Sequence, residues 1–312
     1  MDDQLIQQVL SYFQFNIIEI IILSLFLILF IVQVYFYIRY YRKPFNFADM
    51  GDDRPSIADS STRRYPMVSV IISSENEADN LAINLPLILE QDYPNFEVIV
   101  INDGSTDETD TLLQSLKLRY SHLYQTFLPL SNDKQFGRHK LALTIGIKAA
   151  KGEVLLFTEP YCRPISNQWM KRLAAKISDK TDVVLGYSYY IRTNSFYNRV
   201  ARFDNHLFSM QYLSKAIIEK PFTGTYRNVA FKKQLFFDNK GFSSHLNIEN
   251  GEDLFINHIV NNKNTEVSLS QDSFIETSLN KITLLPVRVS KTMKLPYFQL
   301  RLAADIFFIC YL

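Results

Sequence analysis

Cysteine is almost absent: Cys162 and Cys310 are the only two in 312 residues. Two thiols cannot form a disulfide framework, which fits a reducing compartment. A dominant charge sign is missing too. The chain carries 33 Lys and Arg against 32 Asp and Glu, a net charge of +1, so its overall electrostatics give no case for nucleic acid as a partner. His122, His206, His245 and His258 show no ligand spacing with cysteine, which argues against a zinc site. The single tryptophan, Trp169, is expected to pack in a helix, with stacking on a bound ligand as the alternative. No internal repeat is evident. What is abundant is the rest of the aromatic set: 18 Tyr and 24 Phe bring aromatics to 14%, which suits a chain that touches a bilayer. The length suffices for one large or two modest domains with a real core.

From Ile17 to Ile38 the sequence is apolar for about 22 residues, interrupted only by Glu19, Ser24 and Gln33, enough to span a bilayer core. Tyr35, Phe36 and Tyr37 form an aromatic belt, and Arg39, Arg42 and Lys43 a basic flank beyond it. The basic side belongs in the cytoplasm, and Asp2 and Asp3 ahead of the span agree. The expectation is a retained anchor in the cytoplasmic or inner membrane, with the bulk of the chain on the cytoplasmic side. A cleaved signal peptide would carry its basic end before the apolar run, the reverse of what is found. At the far end, Ala303 to Leu312 either begins a second membrane segment or lies on the surface. Just upstream, Lys281, Arg288, Lys291, Lys294 and Arg301 are mixed with Leu, Val, Tyr and Phe, which suits an interfacial element.

Between these ends the pattern is regular. Residues 1–43 read as the anchor and 44–66, rich in Pro, Gly, Asp, Ser and Arg, as a linker. Strands are expected at Met67–Ile72, Phe96–Ile101, His122–Phe127 and Val154–Phe157, with helices at Glu77–Glu90, Asp107–Arg119 and Gly137–Ala150, the last closed by Gly152 as a C-cap. That alternation predicts βαβ units and a mostly parallel sheet over 67–163. From 164 to 280 the regularity loosens, with helices near 167–177, 195–218 and 253–260 and strands near 183–191 and 228–231. Residues 281–312 form the interfacial segment.

The most informative stretch is Val98-Ile99-Val100-Ile101-Asn102-Asp103-Gly104-Ser105-Thr106-Asp107-Glu108-Thr109. A β-branched strand ends on an acidic residue, turns at a glycine and feeds a helix that Thr106 or Asp107 can cap. In open α/β sheets ligands bind at the carboxyl ends of strands. Asp103 there can accept hydrogen bonds from a base or ribose, and Gly104 lets the backbone approach closely. The plainer alternative is an ordinary strand–turn–helix corner with an acidic cap.

Several further motifs occur in a fixed order around it: Val68-Ser69-Val70-Ile71-Ile72 with Glu75-Asn76-Glu77, Gly137-Arg138-His139-Lys140 with Ala142-Leu143, Gly152 to Thr158, and Gly251-Glu252-Asp253-Leu254-Phe255. With Asn102-Asp103-Gly104-Ser105, this set resembles the processive and membrane-bound family-2 glycosyltransferases from about Val68 to Arg301. The resemblance implies an α/β GT-A fold, the Rossmann-like fold of nucleotide-diphospho-sugar transferases, joined here to an N-terminal transmembrane helix. It implies nucleotide contacts at Glu77, Asp103, Gly104 and Lys140, and a catalytic base at Asp253 with Glu252 as runner-up. Arg227, Asn228, Gln299 and Arg301 would serve acceptor or diphosphate.

Inverting sugar transfer needs a base at the acceptor hydroxyl, positive charge at the departing diphosphate and in-line positioning. The family commonly supplies that charge with Mg²⁺ or Mn²⁺ on a carboxylate pair, Thr-Asp-Ala-Asp-Cys. This chain reads Thr158-Glu159-Pro160-Tyr161-Cys162, keeping Glu159 as a metal ligand and placing a phenol where the second Asp would be. Tyr226 likewise fills a glycine position in Gly224-Thr225-Tyr226-Arg227-Asn228, and no tryptophan remains near Gln299 and Arg301. Two functions follow. One is a membrane-anchored inverting glycosyltransferase of hexosyltransferase type, moving a sugar from a nucleotide donor, UDP-linked by expectation, to a glycan or lipid-linked acceptor. The other is a weakened relative that binds a nucleotide or a partner glycosyltransferase as a scaffold.

Overall fold

Asn16 caps the first described helix in the computed structural model, which describes residues 16–49, 65–128, 137–243 and 252–279. Its side chain accepts from Ile18 N at 2.6 Å while its own N–H donates to Glu19 Oε2 at 2.9 Å. This capping box explains the one acid early in the apolar run. The helix α1 (Ile17–Phe36) buries none of its residues, widens to a π turn over Tyr37–Tyr41 and continues as α2 (Arg42–Asp49). Among the described residues this stretch, Ile17–Ala48, is the one helix long and apolar enough to cross a membrane. The linker expected from residue 44 is therefore helical as far as Asp49. Pro44 falls just past the π turn inside this continuous helix; its missing N–H leaves the carbonyl four residues back, Tyr40 O, short of the usual ladder donor, and Ser214 Oγ stands 2.7 Å from it.

The apolar run at Val68 becomes β1 (Val68–Ser74), buried along its whole length. It is followed by α3 (Ala78–Leu89), β2 (Phe96–Asn102), α4 (Thr109–Arg119), β3 (Leu123–Phe127), α5 (Arg138–Ala149) and β4 (Val154–Phe157). β1 pairs in parallel with β2 and β4, and β2 with β3. The second half adds β5 (Cys162–Pro164), α6 (Trp169–Ala174), β6 (Val183–Gly186), β7 (Ser188–Tyr190), α7 (Phe196–Ile217), β8 (Val229–Lys232), α8 (Lys233–Asp238), α9 (Asp253–Ile259), β9 (Thr265–Ser268) and β10 (Ile275–Thr277). The main sheet runs β3-β2-β1-β4-β8-β6-β9, with β8 antiparallel to both neighbours, and a small sheet runs β5-β10-β7.

Strand alternation sends Ile71, Leu155 and Phe231 to a core shared with α5, α7, α8 and α9. It sends Val70, Ile72 and Leu156 to a second core shared with α3, α4 and α6. Both faces are thus covered, as a parallel sheet requires.

Two local expectations are corrected. Gly152 is not a left-handed cap, since α5 closes at Ala150. A Cβ on Gly152 would meet Met67 O and Ser69 N at 2.7 Å, so the residue is small to let the chain cross β1. The strand expected over 183–191 is split between two sheets at Gly186, against which the Asn228 amide is wedged.

Candidate active site

The carboxyl ends of β1, β2 and β4 lie on one edge of the sheet because those strands are parallel. β8 arrives from the opposite direction, and its first residue Val229 pairs with Phe157, so the segment leading into β8 reaches that same edge. Four loops therefore converge there.

Two of them are tied together. Asn76, at φ 54°, donates from its N–H to Ser105 Oγ at 2.9 Å and accepts from Thr106 N at 2.8 Å. Asn102 Oδ1 accepts from Ser105 N at 3.0 Å, closing the turn around Gly104, whose φ of 70° suits glycine. Asp107 accepts from Ala78 N at 3.0 Å and Thr109 N at 3.1 Å, so one carboxylate meets the N-termini of α3 and α4. Burial would raise its pKa, but these hydrogen bonds outweigh burial and hold it below the usual carboxylate range.

Asp103 stands buried at the tip of this turn, 2.5 Å from the Arg138 Nε, an ionic contact rather than a well-aligned hydrogen bond. Its carboxyl is pushed up by burial, pulled down by Arg138, pushed up by Glu75 and pulled down by His139, and the net direction is up. Gly137, at φ 104°, is the N-cap of α5 and sets Arg138 at the helix start. Sequence reasoning assigned Arg138 no role, although its place one residue after a motif glycine was a signal. Lys140, assigned to the nucleotide, is buried in α5 at 1% exposure. Glu77 sits half-buried before α3, where its Oε2 accepts from Asn80 Nδ2 at 2.5 Å.

Across β1 from Asp103, β4 leads to buried Thr158 and then half-buried Glu159. Tyr161 follows, its phenol pushed well up by burial and then by Glu159, so it stays protonated and neutral. Cys162 is fully buried against Thr277 Oγ1 at 3.3 Å, and burial drives its thiol to about 12, leaving it inert. Facing this loop is Arg227. It donates from Nη2 to Asn205 Oδ1 at 2.8 Å and lies 5.2 Å from the Tyr190 ring centre. Burial alone would lower the Arg227 pKa, but Tyr190, Cys162, Tyr161 and Asp253 outweigh it, so the guanidinium stays charged.

The start of α9 completes the edge. Asp253 Oδ1 accepts from Tyr226 N at 2.9 Å, and Glu252 beside it is buried. Asp103, Glu159 and Asp253, separated along the chain, are thus brought to one edge. Asn228 is not available there. Its Nδ2 donates to Tyr187 O at 2.8 Å and Ser273 O at 2.9 Å, and its Oδ1 accepts from the Trp169 indole N–H at 3.0 Å. That amide fastens β8, α6 and the small-sheet loops, and the fully buried Trp169 packs rather than stacking a sugar. Gln299 and Arg301 lie outside the described residues.

The edge is polar and incompletely paired. Among the described residues Ser74 Oγ, Asn102 Nδ2 and Thr158 Oγ1 are buried with no hydrogen-bond partner, as is Arg227 Nη1. Such groups in native proteins call for a ligand or ordered water. A protein-built divalent-cation site is a poorer fit. Among the described residues no group of three His, Cys, Asp or Glu is placed to hold a metal, and beside Glu159 stand a neutral phenol and a guanidinium.

Comparison with known proteins agrees with this architecture. Mannosyltransferase PcManGT from Pyrobaculum calidifontis, solved with GDP-Man and Mn²⁺, superposes with a TM-score of 0.60 at 19% identity, over 85% of this chain and 71% of that one. TarS 1–349 of S. aureus superposes at 0.51 and 19% identity, over 74% and 66%. These likenesses establish the fold. In sequence, the glycosyltransferase AglE of Haloferax volcanii is 34% identical over 119 residues, 38% of this chain and 37% of that protein. A poly-β-1,6-N-acetyl-D-glucosamine synthase of Staphylococcus epidermidis is 29% identical over 123 residues, 39% and 26%. The matched region thus spans between about a quarter and little more than a third of these relatives. The pattern of Glycosyl transferase family 2 matches residues 69–240, which is 172 of 312 and more than half of the chain. With its GT-A architecture, the chain belongs to glycosyl transferase family 2.

Proposed function

We propose that this protein is a membrane-anchored inverting glycosyltransferase that moves a sugar from a nucleotide-sugar donor to a glycan or lipid-linked acceptor at the cytoplasmic face. One observation carries the reading: Asp103, Glu159 and Asp253 share a sheet edge that also holds buried, unpartnered Ser74 Oγ, Asn102 Nδ2 and Thr158 Oγ1.

In this reading Asp103 accepts an N–H of the donor's base, Gly104 lets the nucleotide approach, and Arg227 faces the diphosphate. Asp253 takes the proton of the acceptor hydroxyl as its oxygen forms a bond to the sugar's anomeric carbon. The bond from that carbon to the diphosphate breaks, and the nucleoside diphosphate leaves with the electron pair. One neighbour is solved with GDP-Man and Mn²⁺, another with UDP, GalNAc and Mn²⁺. In this chain Glu159 is the residue that would give such an ion a protein ligand. A TarS structure with UDP-GlcNAc keeps UDP-sugars first among donors to try. The apolar stretch Ile17–Ala48 supports membrane attachment, and the basic flank at Arg39, Arg42 and Lys43 supports the cytoplasmic side.

The test is transfer or slow hydrolysis of a panel of UDP- and GDP-sugars by the full chain. Turnover that Asp103→Ala removes, with loss of nucleotide binding, supports the reading. A second reading, a nucleotide- or partner-binding scaffold, draws on Tyr161 and Tyr226, bulky groups where the family has Asp and Gly. Nucleotide binding without any turnover across the panel would favour it.

A further inference from the structure

We propose that Arg227, rather than a metal ion caged by the protein, supplies the positive charge that receives the donor diphosphate, so that donor binding survives chelation. This rests on the transferase reading above and deepens it by assigning the electrostatic partner of the leaving group.

The argument begins with what the edge offers an anion. A divalent cation with oxygen ligands is usually held by one or two carboxylates plus phosphates and water. Here the position two residues after Glu159 is a half-buried phenol, and a protonated phenol supplies neither charge nor a strong ligand. The guanidinium of Arg227 lies within electrostatic reach of that same phenol and of Cys162 next to it. A fixed cation there opposes a second, mobile cation at close range and meets an anion directly.

Arg227 is also held in place before any ligand arrives. Its Nη2 donates to Asn205 Oδ1 at 2.8 Å, and Asn205 is itself fixed by donating from Nδ2 to Ser188 O at 2.8 Å. The planar group rests over Tyr190 at 5.2 Å, and Nε points to Thr225 Oγ1 at 3.4 Å. These contacts come from α7, β7 and the loop before β8, so three elements position one side chain. What remains is Nη1, buried and without a hydrogen-bond partner. A desolvated, preorganised donor aimed at developing negative charge costs no reorganisation when the bond breaks. Guanidinium geometry matches two phosphate oxygens at once. Arg227 therefore combines permanent charge, fixed orientation and an open N–H.

The experiment uses the full chain in detergent or nanodiscs and titrates UDP, UMP, GDP and GMP by calorimetry, with EDTA or with Mn²⁺. Chelation is expected to change diphosphate affinity by less than about threefold, while Arg227→Gln weakens diphosphates by about tenfold and monophosphates hardly at all. Arg227→Lys should recover part of the loss. A merely structural role for Arg227 would lower both classes equally, and that result overturns the proposal. So does a large loss on chelation that Arg227→Gln does not reproduce, in which case the transferase reading stands and a metal holds the diphosphate. Wild-type protein that binds no nucleotide in either condition defeats both. Should Arg227→Gln not fold, Tyr161→Asp decides: rebuilding the carboxylate pair is expected to make Mn²⁺ tighten diphosphate binding in the variant alone. An equal Mn²⁺ gain in the wild type overturns the proposal.

Discussion

The backbone N–H of Tyr226 donates to Asp253 Oδ1 at 2.9 Å, joining the first residue of α9 to the segment that enters β8. That bond fixes the carboxylate on the ligand edge of the sheet. Asp253→Asn keeps an oxygen able to accept from Tyr226 but cannot take up a proton. Transfer should fall by about 10²–10⁴-fold, the usual worth of a general base. The thermal midpoint should stay within about 2 °C, because the hydrogen bond persists. Steady-state kinetics beside a melting curve checks both. An undiminished kcat would move the base away from residue 253.

A pH effect follows from Asp103 and Arg138. Burial raises the Asp103 carboxyl above its ordinary 3.8, and Arg138 opposes that rise. A donor base that gives an N–H to this carboxylate requires it ionised. Nucleotide affinity should therefore fall as pH drops through the raised value, earlier than for an exposed aspartate. The same shift means that ionising Asp103 disfavours the fold, so its contribution weakens as pH rises from 3.8 through the folded value. Arg138→Ala removes the downward pull and should move the loss of nucleotide binding to higher pH. Titrations of nucleotide affinity against pH on wild type and variant test this, and a midpoint that moves down contradicts it.

What the sequence made legible was whatever local pattern decides. Val68 to Ile72 and Val98 to Ile101 are continuous β-branched and apolar runs, so buried parallel strands could be read directly. The turns at Asn76 and Gly104 were visible as motifs, and the structure places their residues in hydrogen-bonded contact. Long-range partners decide the rest. Cys162–Pro164, Ser188–Tyr190 and Ile275–Thr277 are three-residue strands that exist because the last pairs with the other two. Residues 44–49 read as part of a linker because they open a stretch rich in Pro, Gly, Asp, Ser and Arg with little apolar periodicity, whereas burial of Pro44 comes from outside the segment. Within the site, the acids at 103, 159 and 253 were legible, yet the ion pair at Arg138 and the internal engagement of the Asn228 amide depend on distant side chains.

That engagement gives a stability prediction. The Trp169 indole donates to Asn228 Oδ1 at 3.0 Å in the buried core. Trp169→Phe leaves that oxygen unpaired and should cost about 1–3 kcal/mol beyond lost packing. Asn228→Ala should cost more, since it strands Tyr187 O, Ser273 O and the indole N–H together. Combining the two should cost less than their sum, because both remove one shared bond. Chemical denaturation of the single and double variants measures the coupling. Strict additivity would mean that the bond contributes nothing.

The N-terminal apolar helix is fastened to the domain rather than hung from it. Ser214 Oγ on α7 lies between two carbonyls, Tyr40 O at 2.7 Å and Met210 O of its own helix, and its one proton can serve either; Lys215 Nζ lies 4.6 Å from the Tyr40 ring centre. On the far side of the seam, Lys176 Nζ lies 5.9 Å from the Phe47 ring, and Phe47 packs on the core that α7 lines. A π turn leaves backbone carbonyls away from the regular ladder, and Ser214 meets one of them. Ser214→Val is similar in volume and has no hydroxyl, so the Tyr40 carbonyl would lose the side-chain donor that ties it to α7 in a part-buried setting. The cost should be about 1–3 kcal/mol, concentrated at the seam. Hydrogen exchange on the full chain should then show faster exchange for amides of 40–48, while β1 and β2 keep their protection. Uniform loss across the whole domain would instead mean that α7 itself had failed, and unchanged exchange would mean that the carbonyl finds water without penalty.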